Sequence, residues 1–303
     1  MELTGEILAA ANALLFALSS IFNKRALDQM DKDSGMVITL VVNNVINGLG
    51  LLAIFLTGRW VPLEAGAIPW FVLAGAFTSF LGRYLIFESV NINGPSRAGA
   101  YKVASPVFTL FIGMFILSER INLGSMAGAV ISLTGLWIIS LRDLTLSNKD
   151  RAEPETSWRT RYMGTLVGLG SGLCFAVGMA ARKAGIIIWP SALAGAFTGS
   201  LTALVLTIVS LYFTKKDIPW RRLAGKESAN YIYSGICTSL AVICFFMALQ
   251  YITVTIANVI ASLEPLFTII LAYWILRKKE RITTGLAFGS VLVSIGAALI
   301  FIY

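Results

Sequence analysis

Long runs of apolar residues recur along the chain, separated by short polar segments. Ten of these runs are roughly twenty residues long, which is enough for an α-helix to cross the hydrocarbon core of a bilayer. They lack the short alternating segments that are typical of the strands of a membrane barrel. The pattern therefore predicts an all-α integral membrane protein with ten transmembrane helices, at about residues 6–26, 36–56, 67–90, 96–117, 122–141, 162–182, 191–213, 230–250, 254–276 and 283–302.

The second half of the chain repeats the first at an offset of 159 residues, which grows to 161 toward its end. Pro106 and Glu119 of the first copy return as Pro265 and Glu280 of the second. Each copy would hold five spans, and two copies of a unit with an odd number of spans insert with opposite orientations. We therefore expect two inverted five-helix repeats, residues 1–141 and 162–303, joined by a polar cytoplasmic linker at 142–161.

The charges support a membrane protein and predict its orientation. Charged residues make up 13% of the chain, whereas a soluble protein has about 25%. Of the 24 Lys and Arg residues, 18 lie in odd-numbered loops and 4 in even-numbered loops, if Arg83 and Lys102 are the only ones inside spans. Basic loops face the cytoplasm, so both termini are expected outside. The compact loops favour a bacterial-type inner membrane. The basic residues then reflect topology within the lipid bilayer rather than nucleic-acid binding.

The residues inside the spans exclude several kinds of chemistry. The chain has no histidine, and no aspartate falls within an apolar run, so an intramembrane enzyme, a metal site or a cofactor site is not expected. The three cysteines, Cys174, Cys237 and Cys244, lie in apolar runs as small packing residues. No Gly-rich phosphate loop is present, which argues against direct ATP hydrolysis.

Three charged residues inside spans are candidates for a binding site, because a charge in mid-membrane is costly unless it faces protein or water. Arg83 and Lys102 fall at a similar depth in the third and fourth spans, which suits an anion or a carboxylate. Glu264 lies near the centre of the ninth span, where the repeat aligns it with Ser105. Lys102 and Glu264 could neutralise each other, or they could bind substrate or a coupling proton. We favour binding, because buried ion pairs are poor stabilisers.

Further polar residues are expected to line the same cavity. Asn43 and Asn47 share one side of the second span at i, i+4, although asparagines in spans can also hydrogen-bond a neighbouring helix. The remaining candidates adjoin the charged positions or share their helix faces; they are Tyr84, Tyr101, Ser105 and Asn258.

Prolines and glycines mark expected hinges and packing surfaces. Pro106 and Pro265 interrupt the fourth and ninth spans and could act as hinges, because proline removes a backbone hydrogen bond. The fifth and tenth spans each carry a Gly-x-x-x-Gly motif, which favours close helix packing within the molecule or at a dimer contact. These motifs are Gly124 with Gly128, and Gly285 with Gly289.

The duplicated five-span unit, the paired prolines, the paired glutamates and the Gly-rich fifth and tenth spans together resemble the drug/metabolite transporter superfamily, in particular its EamA-type ten-span members. The resemblance covers nearly the whole chain. It implies a monomeric or homodimeric secondary carrier that moves a small organic solute by alternating access. It does not fix the substrate, because members of the superfamily move amino acids, nucleotide sugars, phosphorylated sugars and other metabolites.

The charged candidates favour one substrate class over another. An amino-acid-like zwitterion would place its carboxylate at Arg83 and Lys102 and its ammonium group at Glu264. An organic-phosphate or nucleotide-sugar exchanger is the alternative, because two cations also suit phosphate. A channel or an intramembrane enzyme is the alternative of another class.

Overall fold

The structure is a computed structural model. It describes residues 2–58, 62–93, 98, 101, 105, 107–108, 112, 123–145, 158–215, 225–252, 257, 260–276 and 284–302.

Helices account for nearly all of the described part of the first half. Helix α1 spans Glu2–Leu27, and α2 spans Lys32–Leu56, with the Asp31 side chain accepting a hydrogen bond from the Ser34 backbone N–H at its start. The next helix is continuous but changes its winding. After a 3₁₀ turn at Ala65–Ala67 it runs as α3 (Ile68–Ala74), then as a π-helical segment, π1 (Gly75–Gly82), and then as α4 (Arg83–Asn93). Helix α5 spans Leu123–Thr145.

Helices also account for nearly all of the described part of the second half. Helix α6 spans Trp158–Ile188, and α7 spans Ala192–Phe213. A 3₁₀ turn at Lys226–Ser228 leads into α8 (Ala229–Tyr251). Helix α9 (Glu264–Leu271) continues as a second π-helical segment, π2 (Ala272–Leu276), and α10 spans Thr284–Ile302.

The helices suit a bilayer in both length and surface. Within the described ranges, six are long and apolar enough to cross a membrane: 3–27, 32–56, 65–93, 162–188, 192–213 and 229–251. Large apolar side chains such as Leu56, Tyr212 and Phe213 are mostly exposed on the outside. A patch of this kind would be unfavourable in water, so it indicates a surface that contacts lipid. The chain is therefore a multi-pass integral membrane protein. Most of the fourth predicted span lies outside the described residues.

The two halves interlock through reciprocal contacts. The first helix of each half packs on the third helix of the other: α1 lies against α8, and α6 lies against α3, π1 and α4. The second helices, α2 and α7, pack on each other, and so do the last helices, α5 and α10. The space between the halves is consequently lined by both.

Glycines allow the last helices of the two halves to touch through their backbones. A Cβ atom added to Gly296 would lie 2.5 Å from the Gly128 carbonyl oxygen, and one added to Gly135 would lie 2.6 Å from the Gly289 carbonyl oxygen. The structure thus places the Gly128 and Gly289 positions in a contact within the molecule. Gly124 and Gly285 lie one turn earlier on the same two helices.

Candidate functional site

A cavity between the halves brings together the charged residues of several helices. Its lining comes from α1, α2, π1, α4, α6, α8 and the start of α9. Arg83, Arg182 and Glu264 are its charged lining residues within the described part of the chain. We call this space the central cavity.

Arg83 reaches the central cavity from the first residue of α4, directly after the π-helical segment. Its side chain is only 8% exposed, and it makes no hydrogen bond or ion pair with any part of the chain that the structure describes. A π-helical turn shifts the register of the residues that follow it, and such turns are frequent at functional sites. Arg83 is therefore a buried cation whose N–H donors remain available to a ligand.

Arg182 is the second cation, and the sequence pattern missed it. The sixth span was expected to end at residue 182, but α6 continues through three isoleucines to Ile188. Arg182 is 5% exposed, and one of its terminal nitrogens donates to the Thr78 hydroxyl at 2.8 Å. Its guanidinium carbon lies 5.4 Å from the centre of the Phe246 ring. The isoleucines that follow Arg182 are a local sign that the span continues, but they are too few to place Arg182 inside it by themselves.

Thr78 holds Arg182 through a short chain of hydrogen bonds. The Thr78 hydroxyl accepts from Arg182 and donates to the Ala74 carbonyl oxygen at 2.6 Å. Gly178 makes room for this arrangement, since a Cβ atom there would lie 2.2 Å from the Thr78 methyl group. Thr78 therefore connects the π-helical segment to α6 and orients the Arg182 side chain.

Glu264 supplies a carboxylate to the same cavity. It is 5% exposed and begins α9, directly after a turn at Ser262 and Leu263. A carboxylate in the first turn of a helix is favoured by the exposed backbone N–H groups there. Neither arginine forms an ion pair with Glu264. Pro265 lies in the first turn of α9, so the helix of the ninth span is already interrupted at the position of the expected hinge.

Small hydroxyl and amide groups fill the rest of the polar lining. The Ser19 hydroxyl lies 2.8 Å from that of Ser234 and 2.9 Å from that of Thr238. Ser234 also donates to the Asn23 side-chain oxygen at 2.6 Å. This network joins α1 to α8 and presents groups that can both donate and accept hydrogen bonds.

The asparagines of the second span lie outside the cavity lining. The Asn43 amide nitrogen donates to the Gly235 carbonyl oxygen at 2.7 Å. Asn47 accepts from the Ser239 hydroxyl at 2.8 Å and lies 3.4 Å from that of Ser200. Both amides therefore join α2 to neighbouring helices, which is the packing alternative for asparagines inside spans.

Other predicted residues lie away from the cavity or outside the described residues. Tyr84 is 38% exposed, and its ring lies beneath the Lys32 ammonium group, 4.7 Å away. Tyr101 is buried against α6, where Thr165 donates to its hydroxyl at 3.4 Å. Ser105 is described but is not a lining residue. Lys102, Pro106 and Asn258 lie outside the described residues.

Apolar clusters of described residues lie toward the two ends of the central cavity. At the end that carries residues 188–191, Phe71 packs on Phe246 and Trp189, with ring centres 6.0 and 6.3 Å apart, inside a broad apolar cluster. At the other end a smaller cluster includes Phe87 and Tyr231, whose hydroxyl donates to the Met30 carbonyl oxygen at 3.2 Å. Phe87 belongs both to the cavity lining and to this second cluster.

Comparison with known proteins gives one family and one shared fold. The family model described as "EamA-like transporter family" matches the chain twice, over residues 3–141 and 162–302. A solved structure titled "Crystal structure of protein" has a TM-score of 0.66 and 15% identity to the chain, and the match covers 100% of this chain and 98% of that chain. At this identity the likeness concerns the fold alone. No curated protein matches the chain.

Proposed function

Because the chain belongs to the EamA-like transporter family, within the drug/metabolite transporter superfamily, it is a membrane transporter, and we propose that it carries a small amino-acid-like metabolite bound in the central cavity. The observation that supports this substrate class is the set of charges in that cavity. Within the described part of the chain, two buried arginines and one buried carboxylate line the same space. A zwitterion satisfies both signs at once.

The chemistry of each group assigns its role. Arginine presents planar N–H donors that match a carboxylate, so Arg83 binds the substrate carboxylate. Glu264 accepts from the substrate ammonium group, and it is also the group that could carry a coupling proton. The hydroxyls of Ser19, Ser234 and Thr238 surround the uncharged part of the substrate. Burial strengthens each of these contacts, because water does not compete for them.

Transport then follows from exposing the cavity to one side of the membrane at a time. We propose that the two inverted halves rock around the central cavity, and that the interruption before Pro265 serves as a hinge. The reciprocal packing of the two halves supports this mechanism, because helices of both halves line the cavity.

A second candidate substrate is an organic phosphate or a nucleotide sugar. It is favoured by the two buried arginines that line the one cavity. It leaves the Glu264 carboxylate facing an anion, which is why we rank it below a zwitterion.

Counterflow in proteoliposomes tests the proposed function. Vesicles loaded with one unlabelled amino acid at a time would be assayed for uptake of the same radiolabelled amino acid, across all twenty. Replacing Arg83→Gln or Glu264→Gln should lower the rate about thirtyfold or more, because truncating one partner of a buried charge pair costs about 2–5 kcal/mol. Lys183→Gln removes a charge beside the cavity without touching its lining and serves as the control. Wild-type rates in both cavity variants would refute the site.

A further inference from the structure

We propose that Ser79 binds an oxyanion of the substrate together with Arg83, and that Ser79 faces the central cavity because it is an extra residue in the π-helical segment π1. The oxyanion is the carboxylate of an amino acid or the phosphate of the second candidate substrate. This inference rests on the proposed function, since it takes the central cavity as the substrate site. It adds a binding residue that the sequence pattern did not single out.

The two halves make equivalent contacts at Thr78 and Thr238. In the first half, a Cβ atom added to Gly178 of α6 would lie 2.2 Å from the Thr78 methyl group. In the second half, the Thr238 hydroxyl lies 2.9 Å from that of Ser19 in α1, and Ser19 is the counterpart of Gly178 at the repeat offset of 159 residues. Thr78 and Thr238 also each donate to the carbonyl oxygen four residues earlier, at 2.6 Å. Thr78 of π1 therefore corresponds to Thr238 of α8.

A second pair of contacts fixes the register at the end of π1. The Ser171 hydroxyl of α6 donates to the Gly82 carbonyl oxygen at 3.2 Å. In the other half, the Asn12 amide of α1 donates to the Ala241 carbonyl oxygen at 2.8 Å. Asn12 is the counterpart of Ser171 at the same offset of 159 residues. Gly82 therefore corresponds to Ala241.

The first half carries one residue more than the second between these two contacts. Three residues, 79–81, lie between them in π1, and two residues, 239–240, lie between them in α8. A π-helical hydrogen bond spans one residue more than an α-helical one, so a π-helical turn absorbs an extra residue while the flanking turns keep their facing. The structure has the corresponding difference, because π1 spans Gly75–Gly82 whereas α8 is an uninterrupted α-helix.

Ser79 is the residue of π1 that has no counterpart in α8. Leu81 corresponds to Leu240, since the two side chains are 39% and 42% exposed. Phe80 corresponds to Ser239, because Phe80 packs on a cluster that includes α2 residues and the Ser239 hydroxyl donates to an α2 side chain. The extra residue is consequently Ser79, which lines the central cavity.

The Ser79 hydroxyl is placed to bind a ligand. It is 8% exposed, and it lies 3.4 Å from the Thr78 hydroxyl, which is longer than an ordinary hydrogen bond between hydroxyls. The structure gives Ser79 no other hydrogen bond within the described ranges. A buried hydroxyl without a short hydrogen bond is unfavourable, and an oxyanion in the cavity would accept one from it.

Arg83 supplies the charge for the same oxyanion. It lies four residues after Ser79, and both side chains line the central cavity. A guanidinium group and a hydroxyl both donate, so they can bind two oxygens of one carboxylate or phosphate. The counterpart of Arg83 in α8 is Val242, so the second half offers neither the cation nor the extra hydroxyl at this place.

A matched pair of deletions tests the register without any ligand. Deleting Ser79 gives π1 the spacing of α8, so the variant should fold, with a melting temperature within a few degrees of the wild type. Deleting Ser239 removes a residue from a helix that has none to spare, so it should prevent folding. Size-exclusion profiles and melting curves in detergent measure both. Equal behaviour of the two deletions, folded or unfolded, would overturn the assignment of Ser79 as the extra residue.

Substitutions test the binding role by counterflow in proteoliposomes. The probes are the L-amino acid with the highest wild-type counterflow and glycerol phosphate. Ser79→Ala should raise the KM of the transported probe at least about tenfold, the size expected for a lost hydrogen bond to a charged group, and the Ser79 deletion should do the same. Ser239→Ala removes an equally buried hydroxyl that lies outside the cavity lining, so it should leave the KM unchanged.

The results for Ser79 and Arg83 separate this inference from the proposed function. An unchanged KM in Ser79→Ala, with counterflow of the amino acid lost in Arg83→Gln, would overturn the role of Ser79 and leave the amino-acid carrier. Transport of glycerol phosphate alone, weakened in Ser79→Ala, would support the oxyanion site and overturn the amino-acid substrate. Transport of neither probe by the wild type would overturn both.

Discussion

The contact between Arg182 and Thr78 can be measured as a coupling energy. Thr78→Val keeps the shape of the side chain and removes the hydroxyl that accepts from Arg182 at 2.8 Å and donates to the Ala74 carbonyl oxygen at 2.6 Å. Loss of a hydrogen bond to a buried charged group costs about 1.5–3 kcal/mol. Loss of the bond to the carbonyl of the same helix costs less, because that carbonyl keeps its place in the helix.

A substitution of a second threonine separates the hydrogen bond to Arg182 from the intrahelical hydrogen bond in the free energy of unfolding. Thr207 is buried like Thr78, and its hydroxyl donates to the Ala203 carbonyl oxygen at 2.7 Å within helix α7, and no described arginine bonds it. Thr207→Val therefore removes the intrahelical bond alone. We expect Thr78→Val to lower the free energy of unfolding by about 1.5–3 kcal/mol more than Thr207→Val does.

A double-mutant cycle with Arg182→Met completes the measurement. Unfolding would be followed by denaturant titration in detergent micelles, for the wild type, both single variants and the double variant. If the contact is real, the two substitutions are non-additive by about 1.5–3 kcal/mol, whereas independent sites add within about 0.5 kcal/mol. Additive effects, together with equal losses in Thr78→Val and Thr207→Val, would refute the hydrogen-bonded placement of Arg182 and with it the orientation of the second cation.

Two further predictions concern packing. Gly296→Ala places a Cβ atom 2.4 Å from the Ser132 hydroxyl oxygen and 2.5 Å from the Gly128 carbonyl oxygen, so it should destabilise the protein by about 1–3 kcal/mol in the same titration. Gly170→Ala, whose nearest neighbour would be a leucine methyl at 3.6 Å, is the control, and a stability loss equal to that of Gly296→Ala would contradict the described contact between α5 and α10. Asn47→Ala should lower stability by about 1 kcal/mol and leave the counterflow KM unchanged, because its amide bonds Ser239 rather than substrate. A tenfold rise in the counterflow KM of Asn47→Ala, with its stability unchanged, would instead show that Asn47 contributes to substrate binding.

The sequence alone indicated the membrane character of this protein and two of the residues that line its central cavity. Apolar runs of about twenty residues predict spans because the cost of leaving polar groups in hydrocarbon depends on local composition, which one chain displays directly. The same cost singles out Arg83 and Glu264, since a charge within an apolar run needs a protein or aqueous partner. The structure brings both residues to one cavity. The Gly-x-x-x-Gly motifs likewise indicated close packing, and Gly128 and Gly289 lie in such a contact.

Only the tertiary structure decided which way the polar residues face and how the two halves combine. Asn43 and Asn47 carry the same periodicity that a cavity lining would have, but their amides bond α7 and α8, because rotation about the helix axis is set by the neighbouring helices. Arg182 stands beside Lys183 near the end of an apolar run, where local composition cannot distinguish a loop from a helix that continues. The helix continues because Phe71 packs over Gly185 and Thr78 accepts from Arg182, and both partners lie about a hundred residues away in the chain. Contacts between such distant residues leave no periodic trace in the local sequence, so the second cation of the cavity becomes visible only in the folded protein.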